Sequence, residues 1–282
     1  MNRLLIFGLG YTGSAVADAA RAPGFDVAGT TRRGLDGSVR FDSAEAAIQS
    51  ATHLLITIPP DEAVDPVLAR YKATIEAAPS LRWIGYLSST AVYGDRGGRW
   101  VDEDTPTAAS QARGQWRVAA EDEWARFANK YSVDTFRLAG IYGPGRSAFD
   151  ALRSRGARRM NKPGHQFGRI HRDDITRAVV AAMRQDRAPG LRVFNLVDDE
   201  PCESANVITE AAKLLGVAAP PETAFAEALP TMSPMARSFW AENRKVSSTK
   251  TKAALGIAWL YPTYREGLRA ILADERGNGL PK

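Results

Sequence analysis

The stretch that decides the fold lies near the amino-terminal end, where the apolar run Arg3-Leu4-Leu5-Ile6-Phe7 is followed at once by Gly8-Leu9-Gly10-Tyr11-Thr12-Gly13. The run predicts a buried strand, and the alanine-rich segment 13–20 predicts a helix. The glycines match G-x-G-x-x-G, in which glycine lets the backbone approach a pyrophosphate and the helix N-terminus attracts its charge. The strand–turn–helix order favours a dinucleotide site over a ligand-free turn, with these cofactor-binding residues: Gly8, Gly10, Tyr11, Thr12 and Gly13.

Strands and helices alternate through the first half of the sequence. Further strands are predicted at 26–30, 39–41, 54–58, 81–87 and 133–138, and helices at 63–77 and 108–130. This alternation is typical of βαβ units, so we expect an α/β protein with a doubly wound parallel Rossmann sheet. We expect an NADP-binding domain over 1–146 plus about 170–198. An interwoven smaller C-terminal substrate lobe would take 147–169 and 199–282, with loop-like texture at 144–168 and no clear period at 220–238.

Composition excludes several classes of protein. The chain has 282 residues, 44% of them hydrophobic, and a net charge of +5, which is far from the dense basic stripe of a nucleic-acid-binding module. A single cysteine, Cys202, rules out an intrachain disulfide, and three histidines without H-E-x-x-H make a metal site unexpected. No apolar run reaches about 18 residues, and the apolar start is too short for a signal peptide. We therefore expect a cytoplasmic protein without nucleic-acid or membrane partners.

The end of the second strand indicates the type of dinucleotide. An NAD site places Asp or Glu there to bind the ribose 2′-hydroxyl. This sequence has Thr30-Thr31-Arg32-Arg33 instead, and a hydroxyl with two guanidinium groups suits a 2′-phosphate. The pattern predicts that Thr31, Arg32 and Arg33 favour NADP(H) over NAD(H), although solvated turn arginines would look the same. Asp42 would accept from the adenine amino group or cap a helix starting near Ala44.

Motifs along nearly the whole chain resemble the extended short-chain dehydrogenases/reductases, the NAD-dependent epimerase/dehydratase group. These motifs are GYTGS (10–14), LSSTAVYGD (87–95), FRLAGIYGPGR (136–146), RIHRDD (169–174) and FNLVDD (194–199). The C-terminal stretches LGI (255–257) and YPTYREG (261–267) are similar to those of an atypical branch. The resemblance implies a Rossmann fold and a nicotinamide cofactor, and it says much less about the reaction.

The sequence departs from this family at its catalytic pair, Y-x-x-x-K. No tyrosine here has lysine four residues later, and the two positions hold Arg113 and Arg117. Arginine does not replace tyrosine as an acid or base, because guanidinium stays protonated in proteins. The resemblance implies that Ser89 binds the reacting oxygen, that Arg117 holds the nicotinamide ribose and that Arg113 clamps a carboxylate or phosphate. Two helix-face arginines meeting Glu121 and its neighbours are the alternative.

Other residues around the implied site follow from the same resemblance. Ser88 would contact the cofactor, and Pro59 with Pro60 would border its nicotinamide-side ribose. Tyr93 and Tyr142 are candidate replacement acids, or packing residues of their motifs.

The resemblance places a basic segment over the substrate cleft. Between 153 and 172 there are basic residues at 153, 155, 158, 159, 162, 169 and 172, with no acidic residue. Their field would favour a small anionic substrate, although a solvated loop is the alternative. We expect His171 to be structural, and we expect the following substrate-binding residues: Ser89, Tyr93, Arg113, Tyr142, Arg146, His165 and Arg169.

The sequence leaves two questions open. Trp116, Trp124 and Phe127 share one face of the helix predicted at 108–130, and this face would be core or the seam of a homodimer. For function, an NADP-dependent oxidoreductase or epimerase-like enzyme competes with a non-catalytic redox sensor or regulatory protein that kept the dinucleotide site and lost the proton donor.

Overall fold

A computed structural model describes residues 2–34, 37–62 and 64–277 of the chain. The strands in chain order are β1 (Arg3–Phe7), β2 (Asp26–Thr31), β3 (Val39–Arg40), β4 (His53–Ile56), β5 (Trp83–Ser89), β6 (Trp100–Val101), β7 (Ser132–Leu138), β8 (Gly140–Tyr142), β9 (Arg159–Asn161), β10 (Arg169–His171), β11 (Gly190–Leu196), β12 (Glu222–Ala224) and β13 (Lys245–Val246). The α-helices are α1 (Tyr11–Arg21), α2 (Glu45–Ser50), α3 (Pro66–Glu76), α4 (Ala112–Ala125), α5 (Ala148–Arg153), α6 (Arg172–Met183), α7 (Ser204–Leu215), α8 (Phe225–Ala228), α9 (Pro234–Ala241), α10 (Thr249–Leu255) and α11 (Tyr264–Gly277).

Seven strands form one parallel sheet in the order β11-β7-β5-β4-β1-β2-β3. The chain runs outward from β1 to β3, returns to β4 beside β1, and then runs outward in the other direction. The direction therefore reverses between β1 and β4, and the carboxyl ends of these two strands frame a crevice where such sheets bind ligands. This confirms the expected doubly wound Rossmann architecture.

Helices cover both faces of the sheet, as the apolar strands require. Alternate residues of β1 show why: Leu4 and Ile6 join one hydrophobic cluster, while Leu5 and Phe7 join the other. The first cluster includes α1 and α6, and the second includes α2, α3 and α4. Since both faces of β1 are covered, its residues from Leu4 to Phe7 are all buried and apolar and do not alternate with polar residues.

Helix α4 is shorter than the helix predicted at 108–130, because a 3₁₀ turn follows it at Arg126–Asn129. Its Trp124 is fully buried and donates from Nε1 to Asp65 Oδ2 at 3.0 Å. Trp124 therefore belongs to the core of its own chain, and the expectation that it contributes to a homodimer seam is wrong. Trp116 is half-buried. The helix predicted at 63–77 begins at Pro66, where Asp65 caps it, and Ala63 lies outside the described residues.

Several short elements lie outside the seven-stranded sheet. Segment 144–168, expected to be loop-like, contains α5 and β9, and segment 220–238 contains β12, α8 and most of α9. The short strands pair as β8 with β10, β9 with β12 and β6 with β13. Between these pieces, the chain returns to the main layers with α6 and β11.

The buried carboxylate of Asp174 holds the C-terminal part of the chain against α6. Its two oxygens accept from the backbone N–H groups of Leu260 at 2.6 Å and Tyr261 at 3.0 Å. His171 caps the same helix, because its Nδ1 accepts from the backbone N–H of Asp173 at 3.2 Å. This contact gives His171 a structural function. Among the described residues, no helix is both long enough and apolar enough to span a bilayer.

Candidate functional site: a cavity at the sheet crevice

A cavity of about 760 Å³ opens at the carboxyl ends of β1, β4, β5 and β7. Two sets of residues face each other across it. We call the first set the inner wall, and it consists of Gly10–Gly13, Thr57, Leu87–Ala91, Gln111, Arg113, Gly114, Arg117, Leu138–Ile141 and Arg146. We call the second set the outer wall, and it consists of Met160, Gln166–Arg169, Ser204, Ser238–Trp240, Glu242, Arg244 and Val246.

The three glycines of the turn differ in what surrounds them. Gly8 has φ +102°, and a Cβ there would lie 2.7 Å from Thr57 Oγ1. A Cβ on Gly13 would lie 2.1 Å from the carbonyl oxygen of Gly8, so only glycine lets α1 begin so close to β1. A Cβ on Gly10 would meet nothing within 4 Å. Gly8 and Gly13 therefore shape the turn, and Gly10 leaves open space at the helix N-terminus.

That open space fits the pyrophosphate of a dinucleotide. Helix α1 has no acidic residue in its first turn and no side-chain cap, so no side chain occupies its first N–H groups. Its first residues, Tyr11 to Gly13, line the cavity. Free N–H groups and the positive end of the helix dipole bind anions. Tyr11 fixes the rim by donating from its hydroxyl to the carbonyl of Pro144 at 3.0 Å. The residues present therefore fit the group that the glycine pattern implies.

The residues expected near the adenosine end lie on or near the loops after β2 and β3. The Thr31 hydroxyl is bonded to Ser38 Oγ at 2.8 Å and accepts from the Gly34 N–H at 2.9 Å. Arg32 and Arg33 are exposed.

Asp42 is also exposed. No side-chain cap is present on α2, so the expectation that Asp42 caps this helix is wrong. Pro59 and Pro60 lie after β4 outside the cavity lining, which reaches only Thr57 of that loop.

Ser89, Arg113 and Arg117 line one cavity, as the spacing of the two arginines on α4 requires. Ser89 ends β5, and its Oγ accepts from the Ala91 N–H at 3.2 Å. Arg117 donates from Nη1 to the carbonyl of Leu87 at 2.5 Å and to the hydroxyl of Tyr86 at 3.2 Å. Neither arginine forms an ion pair with Glu121, so the alternative of a helix-face pair is wrong.

Glu121 instead belongs to a buried polar network beneath the inner wall. It accepts from Ser88 Oγ at 2.5 Å and forms an ion pair with Arg137 on β7, where Nη2 and Oε2 lie 2.7 Å apart. Arg137 also donates to the Tyr93 hydroxyl at 2.9 Å, and that hydroxyl donates to Asn195 Oδ1 at 2.8 Å. Ser88 is thus the point at which this network reaches the cavity.

The network also explains why Tyr93 does not line the cavity. Tyr93 is fully buried, and its hydroxyl is already bonded on both sides. Tyr142 is buried too, behind α11, because a Cβ on Gly267 would lie 2.1 Å from its hydroxyl. Burial raises the pKa of both phenols, against the effect of Arg137 on Tyr93. The structure brings neither candidate acid to the cavity.

Several side chains of the basic segment are held by protein partners. Arg153 pairs with Glu275, Arg159 pairs with Glu222, and Lys162 donates to the carbonyl of Trp240. Of its charged residues only Arg169 lines the cavity, where it donates to the Phe167 carbonyl at 3.1 Å and the Cys202 Sγ at 3.0 Å. The expectation of a broad basic field from this segment is therefore wrong.

His165 lies behind the outer wall, outside the lining. Its ring is buried and packs against Phe167 and Trp240, with centroids 4.7 and 5.3 Å away. Burial lowers its pKa to about 4, with nearby Lys162 acting in the same direction. The ring is therefore neutral at pH 7 and serves as part of an aromatic cluster.

The outer wall contains charged residues that the sequence patterns did not single out. Glu242 is buried and accepts from Ser110 Oγ at 2.8 Å and from Arg244 at 2.7 Å. Arg244 also donates to the carbonyl of Gly94 at 2.9 Å. Both follow the aperiodic segment 220–238, and no local spacing points to either of them. Arg146, by contrast, was expected, and its guanidinium lies over the Tyr11 ring at 5.7 Å.

Comparison with known proteins gives relatives along almost the whole chain. No protein-family profile matches the sequence. The chain is 27% identical over 245 residues to Protein YeeZ of Escherichia coli K12, which covers 78% of this chain and 86% of that protein. A functionally unknown conserved protein from Silicibacter pomeroyi is 44% identical, with a TM-score of 0.90, and the match covers 97% of this chain and 99% of that one.

Two further solved structures that resemble this chain are described as epimerase or epimerase/dehydratase proteins. A putative NAD-dependent epimerase/dehydratase from Methylobacillus flagellatus is 25% identical, with a TM-score of 0.74, and the match covers 98% of this chain and 99% of that one. The human epimerase family protein SDR39U1, solved with NADPH, shares the fold with 18% identity and a TM-score of 0.81, over 96% of this chain and 99% of that one.

Proposed function

Because this chain belongs to the atypical, epimerase/dehydratase-like short-chain dehydrogenases/reductases, we propose that it is an NADP(H)-dependent oxidoreductase or epimerase-like enzyme acting on a small polar anionic substrate. A nicotinamide cofactor and an oxidoreductase- or epimerase-like character follow from the family. The preference for NADP(H), the substrate and the residues that act on it are the proposal.

One observation carries this proposal: Ser89, Arg113 and Arg117 line the same cavity as the glycine turn. A dinucleotide held at Gly10 and the N-terminus of α1 would extend along the inner wall towards these three side chains. The cofactor supplies hydride transfer when it is bound. The chain would supply binding, orientation and charge, with Ser89 holding the reacting oxygen, Arg113 the anionic group, and Arg117 the cofactor ribose beside Ser88.

The preference for NADP(H) rests on the end of β2. Thr31, Arg32 and Arg33 present a hydroxyl and two exposed guanidinium groups and no carboxylate at this point. A 2′-phosphate gains charge-assisted hydrogen bonds there, whereas a 2′-hydroxyl finds no acceptor carboxylate. Asp42 would accept from the adenine amino group, and the Pro59-Pro60 turn would limit the space next to the ribose.

A titration with NADPH, NADP⁺, NADH and NAD⁺ tests the cofactor proposal. We expect NADPH to bind at least about tenfold more tightly than NADH, and Arg32→Ala to remove most of that difference. Arg184→Ala, an exposed arginine at the end of α6, is the matched control and should change neither affinity. Equal affinities for NADPH and NADH in the parent protein would refute the preference.

A screen of anionic carbonyl compounds and sugar nucleotides with bound NADPH tests catalysis. Ser89→Ala should lower the turnover of any active compound without changing the Kd for NADPH. Ser50→Ala, on the exposed side of α2, is the control. Turnover that is the same in Ser89→Ala and the parent would contradict the assigned function of Ser89.

A non-catalytic sensor is the second candidate, and one observation favours it. Among the described lining residues the only phenol is Tyr11, and its hydroxyl is engaged with Pro144. A redox sensor needs no proton donor, but it must bind NADPH and NADP⁺ with different affinities. No turnover in the screen, together with a clear difference between these two affinities, would favour the sensor over the enzyme.

Two smaller proposals accompany this one. Cys202 is buried without a disulfide partner, which is compatible with a reducing compartment such as the cytoplasm.

If the chain forms a homodimer through α4, the exposed side of that helix and the half-buried Trp116 would supply the contact. Light scattering of the parent and Trp116→Ala would test this seam.

A further inference from the structure

Arg113 is a cation in the cavity without a protein partner. It is exposed, it lines the cavity, and its guanidinium makes no hydrogen bond or ion pair with any described residue. The neighbouring arginines differ, since Arg117, Arg169 and Arg244 all donate to protein acceptors. Arg146 also lines the cavity without a hydrogen bond or ion pair to a described residue, but its guanidinium lies over the Tyr11 ring at 5.7 Å, beside the glycine turn. Arg113 is therefore the lining guanidinium whose donors are all available and which lies over no described ring, and a planar oxyanion would bind both edges of this fork.

Phe239 is an apolar side chain that is exposed in the same cavity. It lies on α9 in the outer wall, and 62% of its surface is accessible. A large ring gains from leaving water, and here it borders a concave space that a ligand could fill. The cavity therefore offers one unpaired charge and one uncovered ring.

Phe239 is next in sequence to an aromatic cluster. Trp240, the next residue, is buried against Phe225 and Phe167, with ring centroids 5.3 and 4.8 Å apart. His165 completes this cluster as a neutral ring, because burial lowers its pKa to about 4. Met160 and Phe167 reach the cavity from the same side. Together with Phe239, these side chains give the outer wall an apolar surface that a flat apolar group would cover.

We propose that the substrate is a carboxylate joined to an aromatic or similarly flat apolar group, with the carboxylate on Arg113 and the flat group against Phe239. The proposal deepens the proposed function by naming a substrate class, and it rests on that function only for the reaction itself. Binding of such a compound is separable from turnover.

Isothermal titration with three probes tests the proposal. trans-Cinnamate has both features, acetate lacks the ring, and trans-cinnamamide lacks the charge. With NADP⁺ present, we expect cinnamate to bind at least about tenfold more tightly than either of the others. Trp240 lies beside the proposed site, so quenching of tryptophan fluorescence provides a second readout.

Two variants assign the two halves of the probe. Arg113→Gln should raise the Kd for cinnamate about tenfold and leave that for cinnamamide unchanged. Phe239→Ala should weaken cinnamate and cinnamamide about equally and leave acetate unchanged. Arg126→Gln and Leu260→Ala are matched controls, because both residues are exposed and lie outside the cavity. All four substitutions are at exposed positions, and circular dichroism would verify that each variant is folded.

Several results would overturn this inference. Cinnamate binding no tighter than acetate would do so, as would parent-like binding by either test variant. Loss of a dimer in Phe239→Ala with unchanged cinnamate affinity would show that a second copy covers the ring. Titration of NADPH into the same samples separates the two proposals. Nucleotide binding without selectivity for cinnamate overturns this inference alone, and cinnamate selectivity without any nucleotide binding overturns the proposed function alone.

Discussion

The two walls of the cavity are built in different ways. The inner wall is made at the ends of buried strands and at the start of α1, and its side chains rest on a sheet with apolar faces. The outer wall is made mainly of two short segments far apart in sequence, 160–169 and 238–246, with Ser204 at the start of α7. Polar contacts hold the two segments together. Asn243, for example, accepts from the backbone N–H of Gln166 at 3.1 Å and donates to the carbonyl of Gly164 at 2.9 Å.

This difference suggests a division of function between the two walls, with cofactor binding at the inner wall and substrate selection at the outer wall. Strand ends in a packed sheet hold a shape that does not depend on the substrate, and this suits a common cofactor. Short segments held by a few contacts can change in sequence without disturbing the sheet, and this suits selection among substrates. If this view is right, substitutions in the two walls should differ in size and kind of effect.

The largest effect is expected beneath the inner wall, at the buried pair of Arg137 and Glu121. Arg137→Met would leave the Glu121 carboxylate buried without its partner, at a cost of about 3–5 kcal/mol of unfolding free energy. Adding Glu121→Leu should recover most of that loss, because the pair is then replaced by apolar side chains. Urea unfolding measures both variants. If Arg137→Met alone costs less than about 1 kcal/mol, the buried pair beneath the inner wall is no more important for stability than an exposed pair, and the proposed difference between the walls is wrong.

The next effect compares two glycines of the turn, Gly13, which the fold requires, and Gly10, which leaves space for the cofactor. Gly13→Ala puts a methyl group 2.1 Å from the Gly8 carbonyl oxygen, so we expect a loss of about 3 kcal/mol in stability. Gly10→Ala meets no atom within 4 Å, so the fold should keep its stability while NADPH affinity falls about tenfold or more. Thermal unfolding and nucleotide titration of both variants check this. Equal stabilities would show that the turn adapts.

The buried histidines are expected to make the fold sensitive to acid, and His165 is the one that lies behind the outer wall; burial lowers the pKa of His53 and His171 to about 4 as well. The unfolded chain binds a proton at His165 near pH 6.5, whereas burial holds its pKa at about 4 in the folded chain. The stability provided by the neutral ring is therefore present above pH 6.5 and is lost as the pH falls towards 4. His165→Phe should reduce the loss between pH 7 and pH 5 by about 2 kcal/mol. Urea unfolding at both pH values would measure this, and superimposable profiles of variant and parent would contradict it.

The smallest effect is expected at the half-exposed pair of Arg159 and Glu222, which joins β9 to β12 behind the outer wall. Arg159→Gln should cost less than about 1 kcal/mol, and 1 M salt should reduce the cost further, because exposed pairs are screened. Measured beside Arg137→Met, this variant compares two arginine–glutamate pairs that differ mainly in burial. If the two variants lose similar amounts of stability, burial of the ion pair does not explain the expected difference between the two walls.

The fold could be predicted from sequence because its signals are local. The run from Arg3 to Gly13 contains strand, turn and helix within a few residues, and the later strands are short apolar runs between helices. The family resemblance placed Arg113 and Arg117 at the positions of the catalytic pair, and both line the cavity.

The remainder of the site depends on contacts that no spacing reveals. Tyr93 and Tyr142 belong to motifs at the ends of strands, but packing from Asn195 and Gly267, far along the chain, decides that they are buried. The basic segment seemed to create a positive electrostatic field in the sequence, because the acidic partners of Arg153 and Arg159 are not nearby. These partners, Glu275 and Glu222, lie more than fifty residues further along the chain. Glu242 and Arg244 lie close to an aperiodic stretch, so no pattern marked them.

The position of β11 has a consequence for how the chain folds as it leaves the ribosome. This strand pairs with β7 along its full length, yet its residues, 190–196, come after α5, β9 and α6. Until they emerge, β7 is the open edge of a nearly complete sheet, and an open edge invites pairing with another chain. Slow synthesis after residue 138 would lengthen that exposure, and fragments that end before 190 should aggregate.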